Sequence, residues 1–385
     1  MRDTRVRPLF LFLCVSALLV MQPISASPPG RIGSDTIRFA VIGDYGDGSN
    51  DETAVANQIK SWDPDFIITV GDNNYPSGAA STIDKNIGRD YHEFIYPYKG
   101  GYGEGAATNR FFPSLGNRDL DTLDGAAYFD YFTLPGNERY YDFVWGPVHF
   151  FVLNSDPREP DGNTSSSAQG IWLQNGLAAS TSCWNLVYFH HAPYSSDVVY
   201  GSTPEMQWPF QAWGAHAVLS GHAHVYERIV RYGFPYFVNG LGGNSKYEFG
   251  EPVAGSQVRY NAKYGAQRVT VSSTTITYEF ITYDGLVVET YSQNHPCVST
   301  PTPTPTRTPT PTPTNPPSPG LPFIFTAAGD YGENRDASAV LNGIASSGAS
   351  FNLALGDLVE GQFSTESAWC DYVKSNRCKI NLQEP

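Results

Sequence analysis

Two short apolar runs, residues 37–42 and 66–70, each end in Gly-Asp, and the stretch between them places Ala54, Val55, Ile59 and Trp62 at roughly helical spacing. This is the pattern of a β-α-β unit, and it commits this part of the chain to an α/β sheet. In open α/β sheets the ligand site lies beyond the carboxyl ends of the strands. There stand Asp44, in Gly43-Asp44-Tyr45-Gly46, and Asp72, in Gly71-Asp72-Asn73-Asn74-Tyr75. Later runs also end in polar clusters: 148–153 before Asn154, 186–189 before His190 and His191, and 217–219 before Gly221-His222-Ala223-His224. Residues 229–238, 268–271, 275–282 and 286–291 read as further strands alternating with Gly and Asn turns.

The opening pattern occurs twice. Residues 323–328 end in Gly329-Asp330-Tyr331-Gly332 and residues 351–355 end in Gly356-Asp357, so 27 positions separate this second aspartate pair where 28 separate Asp44 from Asp72. The rear copy has no histidine, the last being His295, and cannot assemble the polar set of the front copy alone. Between the copies, residues 300–320 alternate Pro with Thr and carry almost no apolar side chains, which predicts an extended, semi-rigid spacer. The N-terminus reads as an export signal: Arg2, Arg5 and Arg7 precede an apolar run over 9–20, and small residues follow at 25–27. The expected organisation is a signal peptide at 1–26, a catalytic-size domain at 27–299, a linker at 300–320 and an incomplete repeat at 321–385.

Charge and cysteine usage narrow the partners. The formal net charge of -14 repels phosphate backbones and anionic lipid surfaces, which excludes nucleic-acid binding by bulk electrostatics. No segment after the signal is long and apolar enough to span a bilayer. The expected location is outside the cytoplasm, secreted or held at the cell surface. Of five cysteines, Cys183, Cys297, Cys370 and Cys378 follow the signal without C-x-x-C spacing, so structural disulfides are expected, with Cys370 and Cys378 the most local pair.

The residues able to carry chemistry are Asp44, Asp72, Tyr75, Asn117, His191, His222 and His224, each in a Gly- or Pro-marked loop after an expected strand. Mixed oxygen and imidazole donors suit Fe, Zn or Mn, and seven are too many for one catalytic ion. Two ions sharing a bridging carboxylate fit better, and such a pair can clamp the attacking and leaving oxygens of a displacement at phosphorus.

With its motifs GDYG, GDNNY, GNRD, HHAP and GHAH in this order, the chain over about 36–293 resembles the calcineurin-like metallophosphoesterases, and within them the purple acid phosphatases of the tartrate-resistant type. The resemblance implies an α/β fold of two mixed β-sheets packed as a sandwich with flanking helices, and a binuclear site at the strand ends. It places Asp44, Tyr75 and His224 on a ferric ion, Asp72 as the bridge, and Asn117, His191 and His222 on Fe(II), Zn(II) or Mn(II). His191 is chosen over His190 because the family's ligand precedes x-Pro, here Ala192-Pro193.

After Gly116-Asn117 the family has His, whereas this chain has Arg118, which stays protonated and can grip phosphate oxygens but is a poor proton donor. Arg118 and His190 are therefore the expected catalytic pair, for charge stabilisation and proton supply. The reaction expected is hydrolysis of a phosphomonoester substrate by hydroxide held at the metal pair. The alternatives are a phosphodiesterase or nucleotidase of the same fold, or a surface module that keeps the fold without turnover.

Overall fold

The computed structural model describes residues 36–294, 325–328 and 351–354. The chain separates into two compact units, Met1–Ser299 and Thr300–Pro385. Among the described residues of the first, thirteen strands form two sheets. The strands are β1 (Ile37–Ile42), β2 (Phe66–Thr69), β3 (Phe111–Pro113), β4 (Tyr141–Trp145), β5 (Val148–Val152), β6 (Trp184–His191), β7 (Ala217–Gly221), β8 (Tyr226–Arg231), β9 (Phe234–Asn239), β10 (Ser256–Tyr260), β11 (Gly265–Val271), β12 (Thr275–Thr282) and β13 (Val287–Asn294). One sheet runs β13-β12-β11-β1-β2-β3 and the other β10-β8-β9-β7-β6-β5-β4. Both are mixed: β1, β2 and β3 are parallel while β11, β12 and β13 run antiparallel, and β5, β6, β7 and β9 form the parallel centre of the second sheet.

Alternation along the strands explains the layering. On β5, Phe150 faces the core between the sheets, while its neighbour Phe151 faces the opposite side and packs with Leu173 and Leu177 of the helix Ala168–Ala179. Between the sheets, Phe39 and Phe66 meet Phe150 edge-on with ring centroids 5.2 and 5.4 Å apart, and Phe237 stacks on Tyr278 at 4.5 Å. The β-α-β unit forms as the spacing predicts, with β1 and β2 joined through the helix Asn50–Ser61. Ser49 caps that helix by accepting from the Glu52 amide, and Val55, Ala56 and Ile59 turn inward. The run at 229–238 is not one strand. Tyr232 and Gly233 both take positive φ, at 53° and 83°, and fold it into the β8–β9 hairpin.

In the second unit, β14 (Phe325–Ala328) and β15 (Phe351–Ala354) pair in parallel with Phe325 opposite Phe351. In β1 and β2 the partners are Phe39 and Phe66. Counted back from each Gly-Asp these are the same positions, so both copies use one register. The expected signal peptide, the linker and Asp330 and Asp357 lie outside the described residues. Cys183 is disulfide-bonded; the other cysteines lie outside the described residues. Among the described residues no helix is long and apolar enough to cross a membrane.

Phe66 is fully buried and touches the rings of Phe39, Phe112, Phe143, Trp145 and Phe150. Phe66→Ala should therefore lower the unfolding free energy by about 3 to 5 kcal/mol. Tyr232, 91% exposed at its hairpin turn, should change stability by less than about 0.5 kcal/mol on replacement by Asn, a residue that tolerates positive φ. Urea titration of both variants checks the contrast.

Candidate metal centre

Three strands deliver their polar residues through the same backbone device. β1, β2 and β7 each run into a glycine followed by a residue with left-handed backbone: Asp44 at φ 54°, Asp72 at 52° and His222 at 67°. That conformation costs a side-chain-bearing residue about 1 to 3 kcal/mol, and such strain persists where surrounding contacts enforce it. Here they do. The Asp44 amide donates to Gly71 O at 3.1 Å, and the His222 amide donates to Asp44 Oδ2 at 2.9 Å, tying the three turns together. Close approach also fixes the glycine at 116, where a Cβ would stand 2.1 Å from the Asp72 nitrogen and 2.3 Å from its Oδ1.

Eight donor atoms gather into two groups that share Asp72. In the first, the Tyr75 hydroxyl lies 2.9 Å from Asp72 Oδ2, 3.4 Å from Asp44 Oδ1 and 3.2 Å from His224 Nε2, which is 3.3 Å from Asp44 Oδ1. In the second, His190 Nε2 lies 3.3 Å from Asp72 Oδ1, 3.2 Å from Asn117 Oδ1 and 3.1 Å from His222 Nδ1. The two oxygens of one carboxylate thus face two different sets. Ligands held about 2.0 to 2.2 Å from a common ion stand roughly 3.0 to 3.5 Å from one another, which is the spacing found in both groups.

Proton bookkeeping points the same way. His190 Nδ1 lies 2.9 Å from the Val70 carbonyl, which only accepts, so the neutral ring carries its proton there and turns the Nε2 lone pair toward two acceptor oxygens. His224 repeats this with Nδ1 2.8 Å from Ser245 O. With both carboxylates ionised, each group has at most one proton for four donor atoms, so lone pair faces lone pair unless a cation lies between them. Electrostatics agree: burial, then Asp44 and Asp119, push the Asp72 carboxyl well above its ordinary range. Burial and the neighbouring histidines hold His190 and His222 far below the usual imidazole value, so both rings stay neutral. Burial, then Asp44 and Asp72, raise the Tyr75 phenol. The donor chemistry fits borderline transition ions. Asp44, Asp72 and His190 alone form a carboxylate-imidazole cluster whose ligand atoms all lie within 4.8 Å of one another.

Of the expected set, the structure brings together Asp44, Asp72, Tyr75, Asn117, His222 and His224, and it adds His190 in place of His191. His191 sits beside the cluster with Nδ1 2.9 Å from Ser155 Oγ. Pairing between β6 and β7 slips between Tyr188 and His191, and of the two histidines His190 is fully buried. His190 is also unsuited to proton supply, because its only N–H is committed to Val70 O. Arg118 donates its amide to Asp72 Oδ1 at 2.8 Å, while its guanidinium is 39% exposed at the rim, 3.6 Å from the Asp121 carboxylate. Asp119 was not singled out by the sequence. Fully buried, it accepts from the Gly116 amide at 2.8 Å and from the Asn73 amide at 3.0 Å, and so holds the Asn117 turn against the Asp72 turn. The last residue of GNRD is its only local signal.

Residues 37–226 match the calcineurin-like phosphoesterase family. No curated protein matches the chain significantly. Among solved structures, the purple acid phosphatase PPD1 from yellow lupin seeds superposes with a TM-score of 0.54 at 18% identity, covering 67% of this chain and 54% of its own. The chain thus spans about half the length of that phosphatase. GAP50, the anchor in the inner membrane complex of Plasmodium, superposes with a TM-score of 0.52 at 18% identity, covering 68% of this chain and 89% of its own. At such identities the superpositions establish the shared fold, which is the two-sheet α/β sandwich described above. Together with the family match and a donor set of the kind a binuclear metal centre requires, they show that residues 37–226 form a calcineurin-like phosphoesterase domain.

Proposed function

We propose that this domain is a secreted, binuclear phosphomonoesterase of the purple acid phosphatase type. The observation that carries the reading is the Asp72 carboxylate, whose Oδ2 meets Tyr75, itself beside Asp44 and His224, and whose Oδ1 meets His190, itself beside Asn117 and His222. In this reading the first set holds a ferric ion and the second an Fe(II), Zn(II) or Mn(II) ion. When bound, the pair supplies Lewis-acid polarisation of the phosphate and makes water acidic enough to attack phosphorus near neutral pH.

The chain's own residues do the rest. Tyr75, a phenol lodged between two carboxylates, gives up its proton only to a strongly charged partner, which favours a trivalent ion on its side. Val70 and Ser245 fix the His190 and His224 rings through their second nitrogens, keeping the Nε2 atoms aimed inward. Arg118 lies at the rim close enough to Asp72 and Tyr75 to feel their charge, and its planar fork suits two phosphate oxygens at once. It does not titrate in the working range, so the leaving group takes its proton from solvent at this open side. The intact donor set favours this reading over a fold-only scaffold.

Metal analysis of the purified full chain should give two transition ions per chain, at least one of them iron, with a visible absorption band that Tyr75→Phe abolishes. His190→Ala should lower the stoichiometry toward one, while His191→Ala should keep two. A colourless active protein holding only zinc would remove the purple-type reading and keep the wider family; retention of both ions in His190→Ala would remove the second donor set. Arg118→Ala should keep both ions and lower kcat/KM on an aryl phosphate by about a hundredfold, as loss of a preorganised donor to developing charge commonly does. Unchanged kinetics would make Arg118 surface charge.

A further inference from the structure

Two aromatic rings that belong to neither donor group cover the imidazoles of two residues that do. Tyr200 stacks on His222 with centroids 3.9 Å apart and planes 29° from parallel, and Tyr247 stacks on His224 at 4.2 Å and 9°. The tyrosines meet each other at 5.8 Å. Tyr200 is 43% exposed, so much of its ring remains open to solvent beside the rim, flanked by the exposed side chains of Val198 and Val199. Arg118 lies within its electrostatic reach. An apolar, aromatic wall and a fixed cation therefore border the same opening.

The loop that presents this wall is built to hold it still. The Asp197 carboxylate accepts from the amides of Val199, Tyr200 and Gly201 at 2.8 to 2.9 Å, and the Val198 amide donates to Glu248 O at 3.0 Å. The buried Glu227 accepts from the Ser196 amide at 2.7 Å and from the Ser256 hydroxyl at 2.6 Å. An exposed aromatic side chain on so firmly tied a loop presents a binding surface whose ordering cost is already met. Its position fixes what fits. A ring stacked directly on a donor imidazole is reached by an aromatic group joined straight to the phosphate oxygen. A nucleobase is carried a ribose farther out, and an alkyl chain gains no stacking there.

We propose that Tyr200, backed by Tyr247, is the leaving-group wall of the site and selects phosphate esters whose oxygen is joined directly to an aromatic ring. This rests on the phosphoesterase reading for its chemistry, but its test does not depend on turnover. Calorimetric titration of the metal-loaded full chain with phenylphosphonate, cyclohexylphosphonate and adenosine 5′-monophosphate compares a flat ring, a puckered ring of similar bulk and a base placed a sugar away. Phenylphosphonate should bind about fivefold tighter than cyclohexylphosphonate, in keeping with an offset ring stack. Tyr200→Phe should keep that ratio, and Tyr200→Ala should bring it to about one. Equal affinities in the parent, or a ratio unchanged in Tyr200→Ala, would overturn the proposal. So would a preference for the nucleotide over phenylphosphonate that Tyr200→Ala removes, because it would put the stacked ring a ribose from the phosphate. Binding that follows the predicted ratios without hydrolysis of phenyl phosphate would sink the phosphatase reading and leave this one standing; hydrolysis with equal affinities would do the reverse.

Discussion

Asp72 cannot rest ionised where it is without positive charge nearby. It is 2% exposed, and burial, then the neighbouring carboxylates of Asp44 and Asp119, lifts its pKa well above that of a free aspartate, so its ionised form needs compensating charge. Its protein donors, the Arg118 amide and the Tyr75 hydroxyl, each reach a different oxygen, and the remaining neighbours of both oxygens are lone pairs. A shared cation on each side resolves this, and much of the local architecture follows from keeping the two sides apart. The left-handed turns at Asp44, Asp72 and His222 aim three strand ends at one point, and glycine at 116 lets a fourth turn approach the Asp72 backbone. Asp119, buried beneath, binds the amides of two of those turns, and its own pKa is pushed up to about 6 by burial.

How far this could be read from the sequence depended on whether the signal was local. Gly-Asp after an apolar run marks both a strand end and an inward carboxylate, so Asp44, Asp72 and the β-α-β unit were legible, as were the two mixed sheets implied by family resemblance. His222 and His224 were legible for the same reason, two imidazoles closing one strand. That His190 lies against Asp72 and Asn117 was not, because pairing between β6 and β7 slips there in a way that no spacing rule encodes. Tyr200 and Tyr247 were invisible among 24 tyrosines: their meaning lies in stacking on histidines some twenty residues away in the chain. The hairpin at Tyr232-Gly233 was read through as one strand because a tyrosine at positive φ carries no turn signature.

The repeated opening of the fold adds a physical point about register. β14 and β15 pair with the same Phe-to-Phe partnering as β1 and β2. In a parallel pair closed by a crossover of similar length, the position of the strand ends sets the register. The four-donor groups of the front domain need more than this opening, since Asn117, His190, His222 and His224 all come from later elements.

The central claim is that one carboxylate divides two ions. Anomalous X-ray diffraction from crystals of the metal-loaded chain, recorded on both sides of the iron edge, tests it most directly. The account predicts two peaks about 3.5 to 4 Å apart, the iron peak on the Asp72 Oδ2 side with Tyr75 and the other on the Oδ1 side with His190. A single ion, or a second ion ligated by His191 with His190 left aside, would contradict it.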